Sequence, residues 1–330
     1  MTELNHRITL AQRPVGIVGP ECFAAADVPV PDPGPGEALI EVGWLSIDPT
    51  IRGWMAQDTY LPAIEIGAPI RSGGLGTVIR SNAEALPVGA TVFGMTGWQQ
   101  YAIVDAGAMV VPDGVDPEAA LSVFGVTGLT AYFGLLDVGR PVEGETVLVS
   151  GAAGATGSVV GQIARIKGCR VVGIAGSDDK CSWLTDELGY DAAINYRTDD
   201  VRQAIGEACP DGVDVFFDNV GGDILEAALA HLGMRGRVVM CGAISEYNDE
   251  EPRPGPNNLN NLIIKRGRME GFIILDYLNR VPEAMADLVT WVLEGKLTYR
   301  VDVVDGLDNA PAAMERLFTG ANLGKVLVKL

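Results

Sequence analysis

The segment that most constrains the fold of this chain runs from residue 146 to residue 168. It begins with the apolar run TVLVS (146–150) and continues into the glycine-rich turn GAAGATG (151–157). A helical pattern with one apolar face follows, and Gly168 predicts its end. A strand that passes through such a turn into a helix is half of a βαβ unit, so this segment predicts a parallel sheet.

Strand-like and helix-like segments continue to alternate after this unit. They are VVGIA (171–175), a helix from 177 or 178 to 188, AAINY (192–196), DVRQAIGEA (200–208), VDVFFDNV (213–220), DILEAALAHL (223–232), GRVVMCGA (236–243), MEGFIIL (269–275) and EAMADLVTWVLEG (283–295). This alternation favours a doubly wound parallel sheet with helices on both faces, which is the Rossmann arrangement.

The two ends of the chain follow a different pattern. The first 120 or so residues are rich in Pro and Gly and carry short strand-like runs separated by turn signals. The last thirty or so residues return to short strands. We therefore predict an α/β protein in which a Rossmann domain, residues 123–297, is inserted in a mostly β domain formed by residues 1–122 and 298–330.

Charge and hydropathy bear on location and partners. The 330 residues carry a formal net charge of −19, which repels nucleic acid phosphates and anionic membrane surfaces. The N-terminus is polar and no stretch of about 18 uninterrupted apolar residues occurs, so neither a secretory signal nor a membrane span is expected. The five scattered cysteines predict free thiols in a reducing cytoplasm.

The glycine turn predicts a binding site for a dinucleotide. Gly154 lets the backbone approach a pyrophosphate closely, and Gly157 lets the following helix pack close to the strand. The free N–H groups and the positive end of that helix attract the anion. The alternative is a glycine-rich turn that binds nothing, and the surrounding alternating units argue against it.

The end of the second strand indicates which nicotinamide cofactor is bound. An NAD site usually has an acid there that binds the ribose 2′-hydroxyl, but this strand ends Ile-Ala-Gly-Ser (174–177). Lys180 follows at once and can pair with a 2′-phosphate, unless it is only a solvated helix residue. Asp178 and Asp179 are interpreted as N-terminal helix caps. The pattern favours NADP(H).

Zinc chemistry is not expected. A catalytic zinc needs about three protein ligands, and the chain has two histidines, His6 and His231, far apart in sequence. No CxxC pair occurs, so a structural zinc site is not expected either. Any reaction at the predicted dinucleotide site would then depend on the positioning of the reactants and on hydrogen bonds, and not on a metal ion.

Several long motifs resemble one known family. They are DPTIRGWM (48–55), GLTAYFGLLDVG (128–139), AAGATGSVVGQIARIKGCRVVGIAGSDDK (152–180), PDGVDVFFDNVGG (210–222), GRVVMCGAISEYN (236–248), WVLEGKLTYR (291–300) and ANLGKVLVKL (321–330). They resemble the zinc-independent prostaglandin reductase (leukotriene B4 12-hydroxydehydrogenase) and alkenal double-bond reductase branch of the medium-chain dehydrogenase/reductase superfamily, which includes bacterial curcumin reductase-like enzymes. This resemblance implies a GroES-like catalytic domain around the Rossmann domain, NADPH-dependent reduction of the carbon–carbon double bond of enones and enals, and a homodimer.

The resemblance also implies a set of cofactor-binding residues. In the family, the glycine turn contacts the phosphates, a lysine and a tyrosine hold the adenosine phosphate end, and the remaining residues line the groove towards the nicotinamide. The matching residues are Gly154, Ala155, Thr156, Gly157, Lys180, Tyr196, Asn219, Cys241, Ser245, Tyr247, Phe272 and Asn322. The segments 57–76 and 272–283 depart from the family pattern, which leaves the substrate open.

Reduction of an enone requires a hydroxyl donor for the charge that develops on the carbonyl oxygen. Tyr247 is the first candidate, because its loop follows the fifth strand and a phenol keeps its proton at neutral pH. Tyr60 is the second, and either tyrosine could serve only in packing. Cys241 lacks a neighbouring base in sequence and is interpreted as a small buried residue. A quinone or ketone reductase and a non-catalytic NADPH sensor are the alternative functions.

Overall fold

The computed structural model describes residues 3–330 and forms two units. One unit contains the chain up to Leu121 together with Val301–Asn322 and Val326–Leu330. The other contains Ser122–Arg300 and Leu323–Lys325. The chain therefore leaves the first unit near residue 121, builds the second, and returns near residue 301.

The strands are β1 (Leu4–Leu10), β2 (Phe23–Pro29), β3 (Ala38–Ser46), β4 (Gly73–Ser81), β5 (Thr91–Met95), β6 (Tyr101–Val104), β7 (Met109–Val110), β8 (Thr146–Val149), β9 (Arg170–Ala175), β10 (Ala192–Asn195), β11 (Val213–Asp218), β12 (Leu232–Met240), β13 (Arg268–Gly271), β14 (Val301–Asp305) and β15 (Lys325–Lys329). The α-helices are α1 (Thr50–Ala56), α2 (Pro117–Leu121), α3 (Val126–Phe133), α4 (Ala155–Ile166), α5 (Asp178–Ser182), α6 (Val201–Ala208), α7 (Gly222–Ala230), α8 (Asn260–Lys265), α9 (Val281–Leu293) and α10 (Ala310–Thr319). Short 3₁₀ segments cover Pro20–Cys22, Ile274–Arg280 and Leu307–Asn309, and π turns cover Gly134–Gly139 and Trp183–Glu187.

The first unit is built on an antiparallel sheet. Its strand order is β14-β15-β3-β4-β5-β7, with β6 paired to β3, while β1 and β2 form a separate pair. Alternate residues of these strands enter one core, in which Ile40, Val78, Val92 and Trp98 are buried. Helix α1 covers part of that core with Ile51.

The second unit contains the predicted parallel sheet. Its strand order is β10-β9-β8-β11-β12-β13, and each neighbouring pair is parallel. All four residues of β8 are buried, as expected for a central strand covered on both faces. The chain reverses its direction of winding between β8 and β11, and ligands of doubly wound sheets bind at that point, outside the carboxyl ends of the strands.

Three local predictions need correction. The strand expected over 269–275 ends at Gly271, because the ring of Phe272 turns to pack on those of Phe217 and Tyr277, with centroids 6.4 and 6.3 Å away. The expected helix 223–232 ends at Ala230, so His231 lies one residue beyond it. The cap of α5 is Ser177 and not either aspartate, as the site geometry below explains.

Candidate cofactor site

The glycine turn after β8 places backbone atoms where side chains would not fit. Gly151 has a φ of 57°, a conformation that favours glycine. A β-carbon at Gly157 would lie 2.4 Å from the carbonyl oxygen of Gly151 and 2.8 Å from the Cα of Ala152. The first turn of α4 therefore packs directly on the end of β8, as the sequence pattern predicts.

The N-terminus of α4 fits an anionic group. The N-cap residue Gly154 has an extended backbone, and among residues 3–330 no side chain caps this end of the helix. Its first turn carries no acidic residue. Because the first N–H groups of a helix lack intrahelical acceptors, this end of α4 offers donors and a positive dipole to a phosphate.

Ser177 and Asp178 follow the carboxyl end of β9, and Ser177 takes the capping role that the sequence analysis gave to the aspartates. The hydroxyl of Ser177 accepts a hydrogen bond from the N–H of Lys180 at 3.3 Å, so Ser177 is the helix cap. The carboxylate of Asp178 instead accepts from the side-chain amide of Asn195 at 2.7 Å, at the end of β10. Lys180 lies in the first turn of α5, as the sequence analysis predicts.

Tyr196 covers the same end of β9. A β-carbon at Gly176 would lie 2.8 Å from the hydroxyl of Tyr196, so the ring lies directly over that glycine. The Tyr196 side chain is 43% exposed, and the guanidinium of Arg197 lies 5.9 Å from its ring centroid. An aromatic face at the end of β9, the strand that α5 and Lys180 follow, suits the adenine end of NADP(H).

A buried polar network joins the ends of β8 and β11. The hydroxyl of Ser150 donates to the carboxylate of Asp218 at 2.7 Å and accepts from the backbone N–H of Asn219 at 2.8 Å. The side-chain amide of Asn219 donates to the carbonyl of Ser150 at 2.7 Å. Burial raises the pKa of the Asp218 carboxyl, and the N–H groups of Val220 and Gly221 oppose that rise. These bonds fix Asn219 at the reversal point of the sheet.

The loop after β12 carries three of the expected cofactor residues. The hydroxyl of Ser245 donates to the carbonyl of Val220 at 2.6 Å, and this bond ties the loop to the end of β11. The hydroxyl of Tyr247 accepts from the N–H of Ala243 at 3.2 Å. Burial raises the pKa of the Cys241 thiol to about 12, so that thiol is a poor nucleophile.

The remaining predicted residues lie in different places. Phe272 packs over Gly134, whose β-carbon would lie 2.4 Å from the Phe272 ring. Asn322 and Tyr60 belong to the first unit, where Asn322 is buried and Tyr60 is exposed. The structure thus brings the glycine turn, Asn219 and the loop with Tyr247 to one edge of the parallel sheet.

Sequence reasoning missed two residues of this site, Ser150 and Asp218. Ser150 directly follows the apolar strand β8, Asp218 ends the apolar strand β11, and both side chains are fully buried. A polar residue that directly follows a buried apolar run, at the edge where parallel strands end, was the signal that could have revealed them.

No group of three or more His, Cys, Asp or Glu side chains suited to a metal ion occurs in the described residues. The cysteines are free thiols wherever the structure describes them. Within residues 3–330, no helix is both long enough and apolar enough to span a bilayer.

Comparisons with known proteins place this geometry in a family. Residues 6–111 match the family described as the N-terminal domain of oxidoreductase, and residues 155–291 match the family described as zinc-binding dehydrogenase. The NADPH-dependent curcumin reductase of Escherichia coli is 41% identical over 99% of this chain and 97% of its own length. The NADP⁺-dependent 2-alkenal reductase of Nicotiana tabacum is 39% identical over 89% of this chain and 88% of its own.

A solved structure gives the same result in three dimensions. CurA of Vibrio vulnificus, in complex with NADPH, superposes with a TM-score of 0.94 at 41% identity, covering 98% of each chain. Both the sequence motifs and the fold are therefore shared along nearly the whole chain. The chain belongs to the medium-chain dehydrogenase/reductase superfamily, in its prostaglandin reductase, alkenal reductase and curcumin reductase branch.

Proposed function

We propose that this protein is an NADPH-dependent reductase of the carbon–carbon double bond of α,β-unsaturated ketones and aldehydes. The observation that carries the proposal is the glycine turn at Gly154, where no described side chain caps α4, together with Lys180 in the first turn of α5. The relatives that share this fold along nearly the whole chain reduce curcumin and 2-alkenals with NADPH, according to their names.

The cofactor would be held along the carboxyl edge of the parallel sheet. The N–H groups of residues 155–157 would bind the pyrophosphate beside the backbone of Gly154, whose own N–H donates to Gly151. Lys180 with Tyr196 would bind the adenosine 2′-phosphate end. Asn219 and the loop residues Cys241, Ser245 and Tyr247 would flank the nicotinamide. The family resemblance adds Phe272 and Asn322 to the residues proposed to contact the cofactor. The fixed position of Asn219, bonded twice to Ser150, supports this assignment.

NADPH, when bound, supplies a hydride to the β-carbon of the enone. The protein must then stabilise the negative charge on the carbonyl oxygen and provide a proton for the α-carbon. The hydroxyls of Tyr247 and Tyr60 are the groups we propose for these tasks. The N–H of Ala243 donates to the Tyr247 oxygen, and this bond holds the hydroxyl within its loop.

We propose that the reaction is independent of zinc, although one matching family is described as zinc-binding. The two histidines support this proposal. His6 lies between Asp27 and Asp308, with its ring nitrogens 2.7 and 2.9 Å from their carboxylates, and His231 follows α7. Among residues 3–330, neither belongs to a group of side chains with the number of ligands that a catalytic zinc needs.

We also propose that residues 123–297 act as the NADP(H) domain and that 1–122 with 298–330 act as a GroES-like catalytic domain. The protein would work as a homodimer in the cytoplasm. The position of β13 at the end of the parallel sheet supports self-association, since an edge strand can pair with a strand of a second copy. The free thiols support a reducing compartment.

The decisive assay follows the loss of NADPH absorbance with a panel of enones and enals after dialysis against a zinc chelator. A saturated aldehyde, a benzoquinone and NADH serve as comparisons. We expect turnover with enones, a saturated carbonyl product and a preference for NADPH. Oxidation of NADPH only in the presence of the quinone, or no oxidation at all, would refute the proposed reaction.

A further inference from the structure

The loop after β12 runs alongside the turn that joins β11 to α7. The N–H of Gly242 donates to the carbonyl of Asp218 at 3.1 Å, and the N–H of Ser245 donates to the carbonyl of Val220 at 3.1 Å. These main-chain bonds hold the first part of the loop against the turn. Ser245, the later of the two donors, lies two residues before Tyr247 in the chain.

The side chain of Glu246 extends this contact to α7. Its carboxylate oxygen Oε1 accepts a hydrogen bond at 2.9 Å from the N–H of Gly222, the first residue of α7. The N-cap residue Gly221 has no side chain that could accept this bond, and a β-carbon there would lie 3.0 Å from the same carboxylate oxygen. Glu246 therefore supplies, from the loop, the cap that α7 lacks at its own N-cap residue.

The hydroxyl of Tyr247 folds back onto the start of the same loop. It accepts from the N–H of Ala243 at 3.2 Å, and a β-carbon at Gly242 would lie 3.2 Å from it and 3.3 Å from the carbonyl oxygen of Asn219. The bond to Ala243 joins two residues of one loop, so by itself it does not fix the phenol relative to the sheet. The bond between Glu246 and α7 provides that link, because it anchors the residue directly before Tyr247.

The charge of Glu246 both strengthens this anchor and adds a cost. Burial raises the pKa of the Asp218 carboxyl, and the like charge of Glu246 adds to that rise, so the two carboxylates repel each other. The positive end of α7 and the charged hydrogen bond to a backbone N–H stabilise the Glu246 carboxylate in return. Ser245 already ties the loop to the turn through its N–H and its hydroxyl. A further anchor next to Tyr247 adds rigidity at that residue, which a group that must meet a reacting atom requires.

We propose that Glu246 is the positioning residue for Tyr247, and that its bond to the first N–H of α7 holds the phenol at the carboxyl edge of the parallel sheet. This inference rests on the proposed function, in which the Tyr247 hydroxyl acts on the enone. Glu246 touches neither cofactor nor substrate in this role. It acts as a hydrogen-bond acceptor, and its carboxylate neither gains nor loses a proton during the reaction.

The test is a double-mutant cycle on Glu246 and Tyr247, with kcat for an enone and the Kd for NADPH as readouts. Glu246→Ala removes the acceptor, whereas Glu246→Gln keeps an acceptor oxygen at the same distance along the side chain. We expect Glu246→Ala to lower kcat roughly tenfold with an NADPH Kd within about threefold of wild type, and Glu246→Gln to retain most of kcat. In the Tyr247→Phe background, Glu246→Ala should cause no further loss of kcat, because its effect passes through the phenol.

Glu226→Ala is the matched control, because the Glu226 carboxylate also joins α7 to a loop but accepts from the N–H of Asn257, at 3.2 Å, outside the loop after β12. Its kcat and NADPH Kd should equal those of the wild type. If Glu246→Ala does not fold, Glu246→Asp replaces it, since the shorter side chain withdraws the carboxylate from Gly222 and should cause the same loss.

Three results would overturn the inference: an unchanged kcat in Glu246→Ala, equal losses with Glu246→Ala and Glu246→Gln, or an additive loss in the Tyr247→Phe background. The last result is what a purely structural cap would give. In each of these cases an active wild type leaves the proposed reaction standing, whereas a wild type that reduces no enone refutes that reaction first.

Discussion

The side chains of Ser150 and Asp218 meet at 2.7 Å in the fully buried gap between the ends of β8 and β11. Ser150 directly follows β8 and Asp218 ends β11, so this hydrogen bond joins the two strands at which the sheet reverses its winding. The Asp218 carboxylate also accepts the N–H groups that open the turn before α7. One buried carboxylate therefore organises the backbone that presents Asn219.

Replacing Asp218 with Asn should change how stability depends on pH. The folded-state pKa of Asp218 is raised by burial, so the native protein binds a proton more readily than the unfolded chain. The stabilisation that the protonated Asp218 carboxyl contributes is complete below its ordinary pKa of 3.8. It is lost as the pH rises through the higher pKa of the folded state. We measure the difference in urea midpoint between Asp218→Asn and wild type at several pH values. We expect this difference to shift in favour of the variant as the pH rises from acidic to neutral. A constant or opposite difference would contradict the raised pKa.

Gly157→Ala should weaken both folding and cofactor binding. The added methyl would lie 2.4 Å from a backbone oxygen that cannot move freely, so α4 must shift away from β8. We expect a loss of about 1–3 kcal/mol in unfolding free energy and at least a tenfold weaker NADPH Kd, measured by urea titration and calorimetry. Gly255→Ala is the control, since a β-carbon there meets nothing within 4 Å. Wild-type NADPH affinity in Gly157→Ala would argue against the turn as the phosphate site.

Lys180→Ala should separate the two nicotinamide cofactors. If the ammonium pairs with the 2′-phosphate, its loss should raise the KM for NADPH roughly tenfold and leave the KM for NADH nearly unchanged. A tenfold change corresponds to a loss of about 1.4 kcal/mol of interaction with the 2′-phosphate, which NADH lacks. Lys296→Ala is the control, because the Lys296 ammonium lies 2.8 Å from the carboxylate of Glu294. Equal effects of Lys180→Ala on both cofactors would remove Lys180 from phosphate recognition.

The parallel sheet could be predicted because its signals are local. The run TVLVS, its glycine turn and the following helix each have a short-range physical cause, and the structure has β8, the turn and α4 in that order. The helix after β9 was also predicted from its polar start. What the helix pattern could not show is that Asp178 has a long-range partner in Asn195, which leaves Ser177 to cap the helix.

Other features depend on contacts between distant segments and had no signal in the sequence. The stretch after Gly271 has the composition of a strand, but Phe272 packs into the space that Gly134 leaves open. The bond from Thr50 to Tyr60 spans a loop whose path no periodicity determines. Candidate residues could therefore be named from the motifs, whereas the side chains that hold them in place could not.

His6→Gln should lower stability only at low pH. The hydrogen bonds that the protonated His6 ring donates to Asp308 and Asp27 raise the folded-state pKa of His6 above its ordinary value of 6.5. The stabilisation is therefore complete below pH 6.5 and is lost as pH rises through the folded value. Because these carboxylates are exposed, we expect a difference below about 1 kcal/mol at acidic pH and none at alkaline pH. The double variant Asp27→Asn/Asp308→Asn should reproduce this profile, and a Tm difference independent of pH would contradict it.

Tyr247→Phe should lower kcat while cofactor binding persists. The Tyr247 ring would remain in its loop, which Ser245 still anchors to Val220, so the groove keeps its shape. The variant loses the acceptor for the N–H of Ala243 and the hydroxyl that we propose for the enone carbonyl. We expect kcat for an enone to fall at least about tenfold, with an NADPH Kd within about threefold of wild type. Tyr101→Phe is the matched control, because it removes a hydroxyl that donates to Glu3 at 3.0 Å. If kcat survives in Tyr247→Phe and falls in Tyr60→Phe, carbonyl stabilisation and proton delivery must both depend on the first-unit tyrosine or on water.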